Sequence, residues 1–199
     1  AYKTCPRDKT CPAYRFKDLN LKLWYHDGIH FCMENGLMQG ISDGLFTPDG
    51  VATRAQIVMI LWRIEKNPYL GQAGFSDVSA NDWFAGAVNW ASANGIVTGY
   101  TDGRFGPNDH VTREQLAAIL YRYARYKGYD VSVGEDTNIL SYEDALTVSD
   151  WAVSAMQWAC AVGLVDGLTE TTLVPQGTTT RAQLAAEVMR FITLVYQED

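Results

Sequence analysis

No stretch of this chain is apolar for long enough to span a bilayer, so membrane insertion is not expected. Positive charge is also in short supply: 16 Lys and Arg stand against 23 Asp and Glu, a net charge of −7. An acidic surface repels nucleic acid and anionic lipid at long range, which removes both from the expected partners. There is no G-x-S-x-G elbow, no Cys–His pairing with supporting context and no phosphate-binding glycine loop, so neither catalysis nor a cofactor is expected. The Asp-Gly loops lack the alternating acidic ladder of an EF-hand. The opening "AYKTCPRDKT" is no signal peptide, and the chain is expected to be a mature form or a fragment of something longer.

Cysteine is scarce, with four residues in 199. Cys5 and Cys11 frame the polar loop "CPRDKTCP", which favours a local disulfide and an oxidising, exported setting over two exposed thiols. Cys32 and Cys160 fall on helix positions and read as core thiols. His26, His30 and Glu34 follow at i, i+4 and i+8 on one helical face. The equivalent positions in the other copies described below are Ala85, Asn89, Ala93 and Val153, Gln157, Ala161, so a solvated face is expected there and no metal site.

What is abundant is repetition. Segments starting at Trp24, Trp83 and Trp151 align without a gap, each Trp preceding a Thr by 29 residues. Gly36, Gly95 and Gly163 coincide, as do Gly40, Gly99 and Gly167, and Pro48, Pro107 and Pro175. Upstream, "FKDL" at 16–19 matches "FSDV" at 75–78, with "YEDA" at 142–145 as a looser third copy. Each copy reads as helix, turn-rich loop, helix. In the second copy Phe84, Ala87, Val88 and Ala91 form a helical stripe that Gly95 stops. The second helices start at "TRAQ", "TREQ" and "TRAQ", a capping-box pattern. The expected organisation is an N-terminal segment 1–15 and repeats at 16–70, 71–130 and 131–199. Single units of this size bury too little to stand alone, so the repeats are expected to share one core.

The Trp, the Gly-Ile-Val-x-Gly stretch, the Asp-Gly-x-Phe-x-Pro loop and the Thr-Arg-Ala-Gln helix start together resemble the S-layer homology domain in its usual triplet. The resemblance covers about 16–197. It implies an all-α, pseudo-threefold, three-pronged spindle of helix-loop-helix repeats, with grooves between neighbours. It further implies a non-catalytic module, fused to other domains, that holds exported proteins to the bacterial cell wall. The implied partner is a secondary cell-wall polysaccharide carrying pyruvate ketals on an amino sugar. The alternative is a structural or protein–protein module of a surface assembly.

An arginine opens each second helix, where the positive end of the dipole opposes it. Arg54, Arg113 and Arg181 either pair with Asp18, Asp77 and Asp144, or form anion sites in which helix N–H groups and a guanidinium fork meet a carboxylate. Asp43–Gly44 and Asp102–Gly103 offer turn backbone to a sugar, as do Gly40 and Gly99. Trp24, Trp83 and Trp151 either stack on sugar rings or anchor the first helix in the core. The resemblance places the acidic residue, the Trp, the loop glycines and the helix-start Arg in the grooves. Copy three departs from the pattern: Glu170 and Thr171 replace Asp-Gly, Leu173 replaces Phe, and Glu187 takes the slot of Ile60 and Ile119. The groove lined by its loop is therefore expected to be weak, leaving Arg54 and Arg113 as the chief binding arginines.

Overall fold

The computed structural model describes residues 5–69, 71, 74–165 and 169–195. The Thr-x-x-Gln pattern acts as the sequence predicts. Thr53 accepts from the Gln56 N–H while the Gln56 side chain accepts from Thr53, and Thr112 with Gln115 and Thr180 with Gln183 do the same. These boxes start the second helix of each repeat: α2 (Arg54–Ile64), α4 (Arg113–Tyr126) and α6 (Arg181–Leu194). The first helices are α1 (His26–Glu34), α3 (Ala85–Ala93) and α5 (Val153–Ala161). Just beyond them Gly36, Gly95 and Gly163 have φ of 67°, 67° and 72°, a left-handed stop that other residues adopt only with strain. Among the described residues the remaining regular structure is short 3-10 turns and isolated bridges.

The repeats close into a ring. Helix α2 packs on α3 of the next repeat, α4 on α5, and α6 returns to α1. At the axis the residue before each capping Thr donates to a neighbour in turn. Ala52 N–H reaches Thr179 O at 2.8 Å, Thr179 N–H reaches Val111 O at 2.8 Å, and Val111 N–H reaches Ala52 O at 3.1 Å. All three residues are wholly buried, so these carbonyls and amides have no water to fall back on. One hydrophobic cluster draws on every repeat, including Ile29, Ile57, Val88, Leu116, Met156 and Leu184. The shared core is thus a consequence of ring closure.

Cys32 is buried as expected, and desolvation pushes its thiol up to about 12. Cys160 is only half-buried. Cys5 and Cys11 are free thiols, in place of the expected disulfide. Cys11 is 3% exposed because the 3-10 turn Pro12–Arg15 lies on α1 and carries it under the first repeat.

The seam between the first and last helices is tight. Gly28 occupies the position of Ala87 and Ala155, and a Cβ there would lie 2.7 Å from Ala186 Cα. Backbone on both sides leaves nothing to yield. Gly28→Ala is therefore expected to destabilise the protein by about 1–3 kcal/mol, read as a fall in the thermal unfolding midpoint; an unchanged midpoint would contradict the closed ring.

Candidate functional site

Each helix-start arginine crosses into the following repeat. Arg54 Nε donates to Phe105 O at 2.8 Å and its Nη2 to Thr98 O at 3.0 Å. Arg181 does the same in the first repeat, with Nε on Phe46 O at 3.0 Å and Nη2 on Gln39 O at 2.8 Å. Arg113 Nε reaches Leu173 O at 2.8 Å. The backbone N–H groups of the first helical turn are also committed. Arg54 and Ala55 donate to Asp109 and Pro107, Arg113 and Glu114 to Gly177 and Pro175, and Arg181 and Ala182 to Gly50 and Pro48. The helix N-termini are thus closed by the next repeat, and the anion site expected from open N–H groups rests on guanidinium alone.

Aspartate grips the same loop from behind. Asp77 accepts from Phe105 N–H at 2.7 Å and Gly106 N–H at 2.8 Å. Asp18 accepts from Phe46 and Thr47, and Asp144 from Leu173 and Val174. Two successive N–H groups form a small anion nest, filled here by the chain's own carboxylate. The nest requires a left-handed second residue, and Thr47, Gly106 and Val174 have φ of 56°, 72° and 51°. Asp and Arg therefore meet through one residue: its N–H donates to the carboxylate, and its C=O accepts from the guanidinium. This replaces the direct ion pair considered from sequence for Arg54 and Arg181.

Two open grooves result. One, about 460 Å3, is lined by Arg54, Thr98, Gly99, Tyr100, Gln115, Ile119, Arg122 and Trp151. The other, about 350 Å3, is lined by Arg181, Gln39, Gly40, Ile41, Gln56, Ile60, Arg63 and Trp83. These sets correspond position by position around the pseudo-threefold axis, so each groove takes residues from all three repeats. Neither lining contains a carboxylate among the described residues, although the chain as a whole is acidic. Arg54 is sandwiched at 4.8 Å from the Phe105 ring centroid and 4.9 Å from that of Tyr100, and Arg181 lies 4.6 Å from that of Phe46. Burial lowers the proton affinity of both guanidiniums, and the neighbouring Arg122 charge depresses Arg54 further. Two like charges facing one hollow favour an anion between them.

The third position is built differently. Arg113 faces the divergent loop of the last repeat, where Leu173 supplies no aromatic ring. Glu187, buried at the slot of Ile60 and Ile119, stands 4.0 Å from Arg113. The expectation that Arg113 serves a chief groove is corrected: each Arg belongs to the loop of the next repeat, so the arginines facing the two regular loops are Arg181 and Arg54. Gly167 lies outside the described residues.

Other predicted residues divide between groove and scaffold. Trp83 and Trp151 rim the grooves at 62% and 54% exposure, and Trp24 is 64% exposed, so none is a core anchor. Gly40 and Gly99 line the grooves, yet their need for glycine comes from the scaffold. A Cβ on Gly99 would lie 2.4 Å from Phe75 and 2.7 Å from Arg104 O, and one on Gly40 would meet Phe16 and Leu45 O as closely. Asp43 and Gly44 border a shallow hollow beside Arg15 that shares Gln39 and Gly40 with the Arg181 groove. Asp102 turns back to hold Arg104, and Gly103 takes φ 83° at that turn. Sequence reasoning missed Arg63 and Arg122. The signal was present, since Arg63, Arg122 and Arg190 each follow a helix-start Arg by nine positions. Nine residues rotate to the opposite helix face, so the two arginines of one helix serve different grooves.

The profile of a family described as "S-layer homology domain" matches the chain three times, at residues 15–58, 74–117 and 141–185. The chain is 32% identical over 167 residues to an amylopullulanase of Thermoanaerobacterium thermosulfurigenes, covering 82% of this chain and 9% of that protein. It is 28% identical over 184 residues to a surface-layer 125 kDa protein of Lysinibacillus sphaericus, covering 90% and 15%. It is 26% identical over 160 residues to a cellulosome-anchoring protein of Acetivibrio thermocellus, covering 77% and 34%. The chain thus spans about a third or less of each of these relatives.

The nest that holds Asp144 is expected to make stability depend on acid. Burial alone would raise the Asp144 carboxyl, but the N–H groups of Leu173 and Val174 outweigh it and hold it below the ordinary 3.8. A carboxyl whose pKa is depressed in the fold contributes stability that is full above its unfolded value and is lost as pH falls through the lower folded value. Asp144→Asn is expected to lower the unfolding midpoint at neutral pH and to flatten its decline below about pH 4. A variant curve running parallel to that of the parent would rule this out.

Proposed function

The chain belongs to the S-layer homology domain family, and we propose that it anchors a larger protein by holding the pyruvylated amino sugar of a secondary cell-wall polysaccharide in its two open grooves. The setting is the bacterial cell surface. The module is itself non-catalytic: in the amylopullulanase relative it corresponds to only 9% of the protein, an added part beside the enzyme.

The observation that carries the ligand reading is the paired arginines. A ketal carboxylate on a sugar is a compact anion with an apolar ring face beside it. In one groove Arg54 and Arg122 present guanidinium to that charge, and the exposed Trp151 offers a flat indole to the ring. Arg181, Arg63 and Trp83 repeat the arrangement in the other. Both hollows lie within the size range of small-ligand sites. Arg122 has no hydrogen-bond or ion-pair partner among the described residues, which leaves its donors available. In the third position the Glu187 carboxylate repels an acidic sugar, so that site is read as non-binding.

The same geometry resolves the conflict between an acidic protein and an acidic polymer. Net charge disfavours approach at long range, and attraction is confined to two hollows without carboxylates. Binding is expected to persist from low to physiological salt, unlike that of phosphate-tracking proteins.

Sedimentation with purified cell wall tests the reading. Arg122→Ala, which leaves the loop contacts of Arg54 intact, is expected to weaken binding about tenfold, the loss of one charge-assisted hydrogen bond. Glu187→Gln is expected to leave the parent level of binding undiminished. Mild acid removal of pyruvate from the wall is expected to abolish binding. Indifference to that treatment would favour a protein–protein docking module instead.

A further inference from the structure

The first helix carries a feature that the other two repeats lack. Cys5, Cys11, His26 and His30 converge so that one ligand atom from each lies within 4.8 Å of all the others. Cys11 Sγ is 3.4 Å from His26 Nε2 and 3.3 Å from His30 Nδ1. Around a tetrahedral zinc ion with Zn–S near 2.3 Å and Zn–N near 2.05 Å, a sulfur–nitrogen edge is about 3.5 Å. We propose that these four side chains form a structural zinc site that clamps the N-terminal segment onto α1.

The surroundings match what such a site needs. His26 and His30 are one helical turn apart, which aims both rings at one point. The ring nitrogen that each turns away from the cluster meets a carboxylate: His26 Nδ1 lies 2.8 Å from Asp27, and His30 Nε2 lies 3.5 Å from Glu34. At His26 the short contact favours the tautomer in which the inward nitrogen offers its lone pair, and Glu34 stands on the matching side of His30. The Arg7 N–H points at Cys5 Sγ from 3.4 Å, a donor suited to a thiolate. Cys11, His26 and His30 are at most 6% exposed, so three of the four ligands are shielded from solvent.

The charge balance also favours zinc. Binding releases one proton from each thiol to solvent, and two thiolates with two neutral imidazoles cancel the charge of Zn2+. The buried cluster then carries no net charge. The neighbouring repeats show that the position is specific. The counterparts of His26 and His30 are Ala85 and Asn89 in the second repeat and Val153 and Gln157 in the third. There Gln157 tethers the preceding segment by donating to Thr137 O at 2.9 Å. The same face of the first helix thus receives the incoming chain in both cases, through an amide in one and through metal ligands in the other.

The intact chain, produced without a histidine tag and kept reduced, tests this through bound zinc measured by plasma mass spectrometry. One zinc per chain is expected, and Co2+ in its place should give the visible bands and thiolate charge-transfer absorption of a tetrahedral site. His26→Ala with His30→Asn installs the residues of the second repeat, so folding is expected to survive while zinc falls to the background. Asp27→Asn is expected to weaken zinc affinity about tenfold. Cys160→Ser should leave one zinc per chain. A reduced, folded chain that takes up no zinc would overturn the proposal. So would a zinc content that the double histidine variant does not change. If Cys5 and Cys11 instead form a disulfide whose reduction restores no uptake of ZnCl2, the cluster is a redox staple and the zinc reading fails. None of these outcomes depends on cell-wall binding.

Discussion

Everything in this fold depends on how the second helix of a repeat begins. Its first two N–H groups and its arginine are satisfied by carbonyls of the following repeat, at distances of 2.8–3.1 Å. A helix start normally leaves such donors to water or to a ligand. Here the chain supplies the acceptors, and in doing so fixes the angle between one repeat and the next. Three such joints return the ring to its origin, where Ala52, Val111 and Thr179 complete the exchange at the axis. Arg54 and Arg181 hold the next loop through Nε and Nη2 and at the same time line the two open grooves. The scaffold and the proposed binding site therefore share one residue.

Much of this was legible in the sequence. The Thr-x-x-Gln boxes, the glycine stops and the apolar stripes are local signals, each read from a few neighbouring residues. The ungapped spacing of three Trp and three Thr established the repeat, and the repeat implied a common core. What the sequence obscured was handedness between modules. Nothing in "TRAQ" says that its arginine reaches forward into the next loop, so the sequence alone places Arg113 beside its own repeat's loop. Arg63 and Arg122 were visible as a repeated residue. Their groove-facing role depends on a half-turn of phase along a helix whose neighbours were unknown.

Two further differences have the same origin. Asp18, Asp77 and Asp144 looked like ionic partners because opposite charges recur at fixed spacing. In the structure a backbone nest takes the carboxylate, a contact that leaves no mark on side-chain composition. Cys5 and Cys11 looked like a pair because they are near in sequence. The turn at Pro12–Arg15 sends Cys11 beneath α1, where the histidines stand. The helix-spaced His pair reads as a solvated face and the loop-spaced Cys pair as a local disulfide, until the segment folds back.

The close approach of Gly28 to Ala186 means that the first helix finds its neighbour only when the last has been made. Nearly the whole chain separates them, so no early local contact can stand in for this one. Until the third repeat is made, an apolar flank of the first stays uncovered, so closure of the ring waits on its last helix.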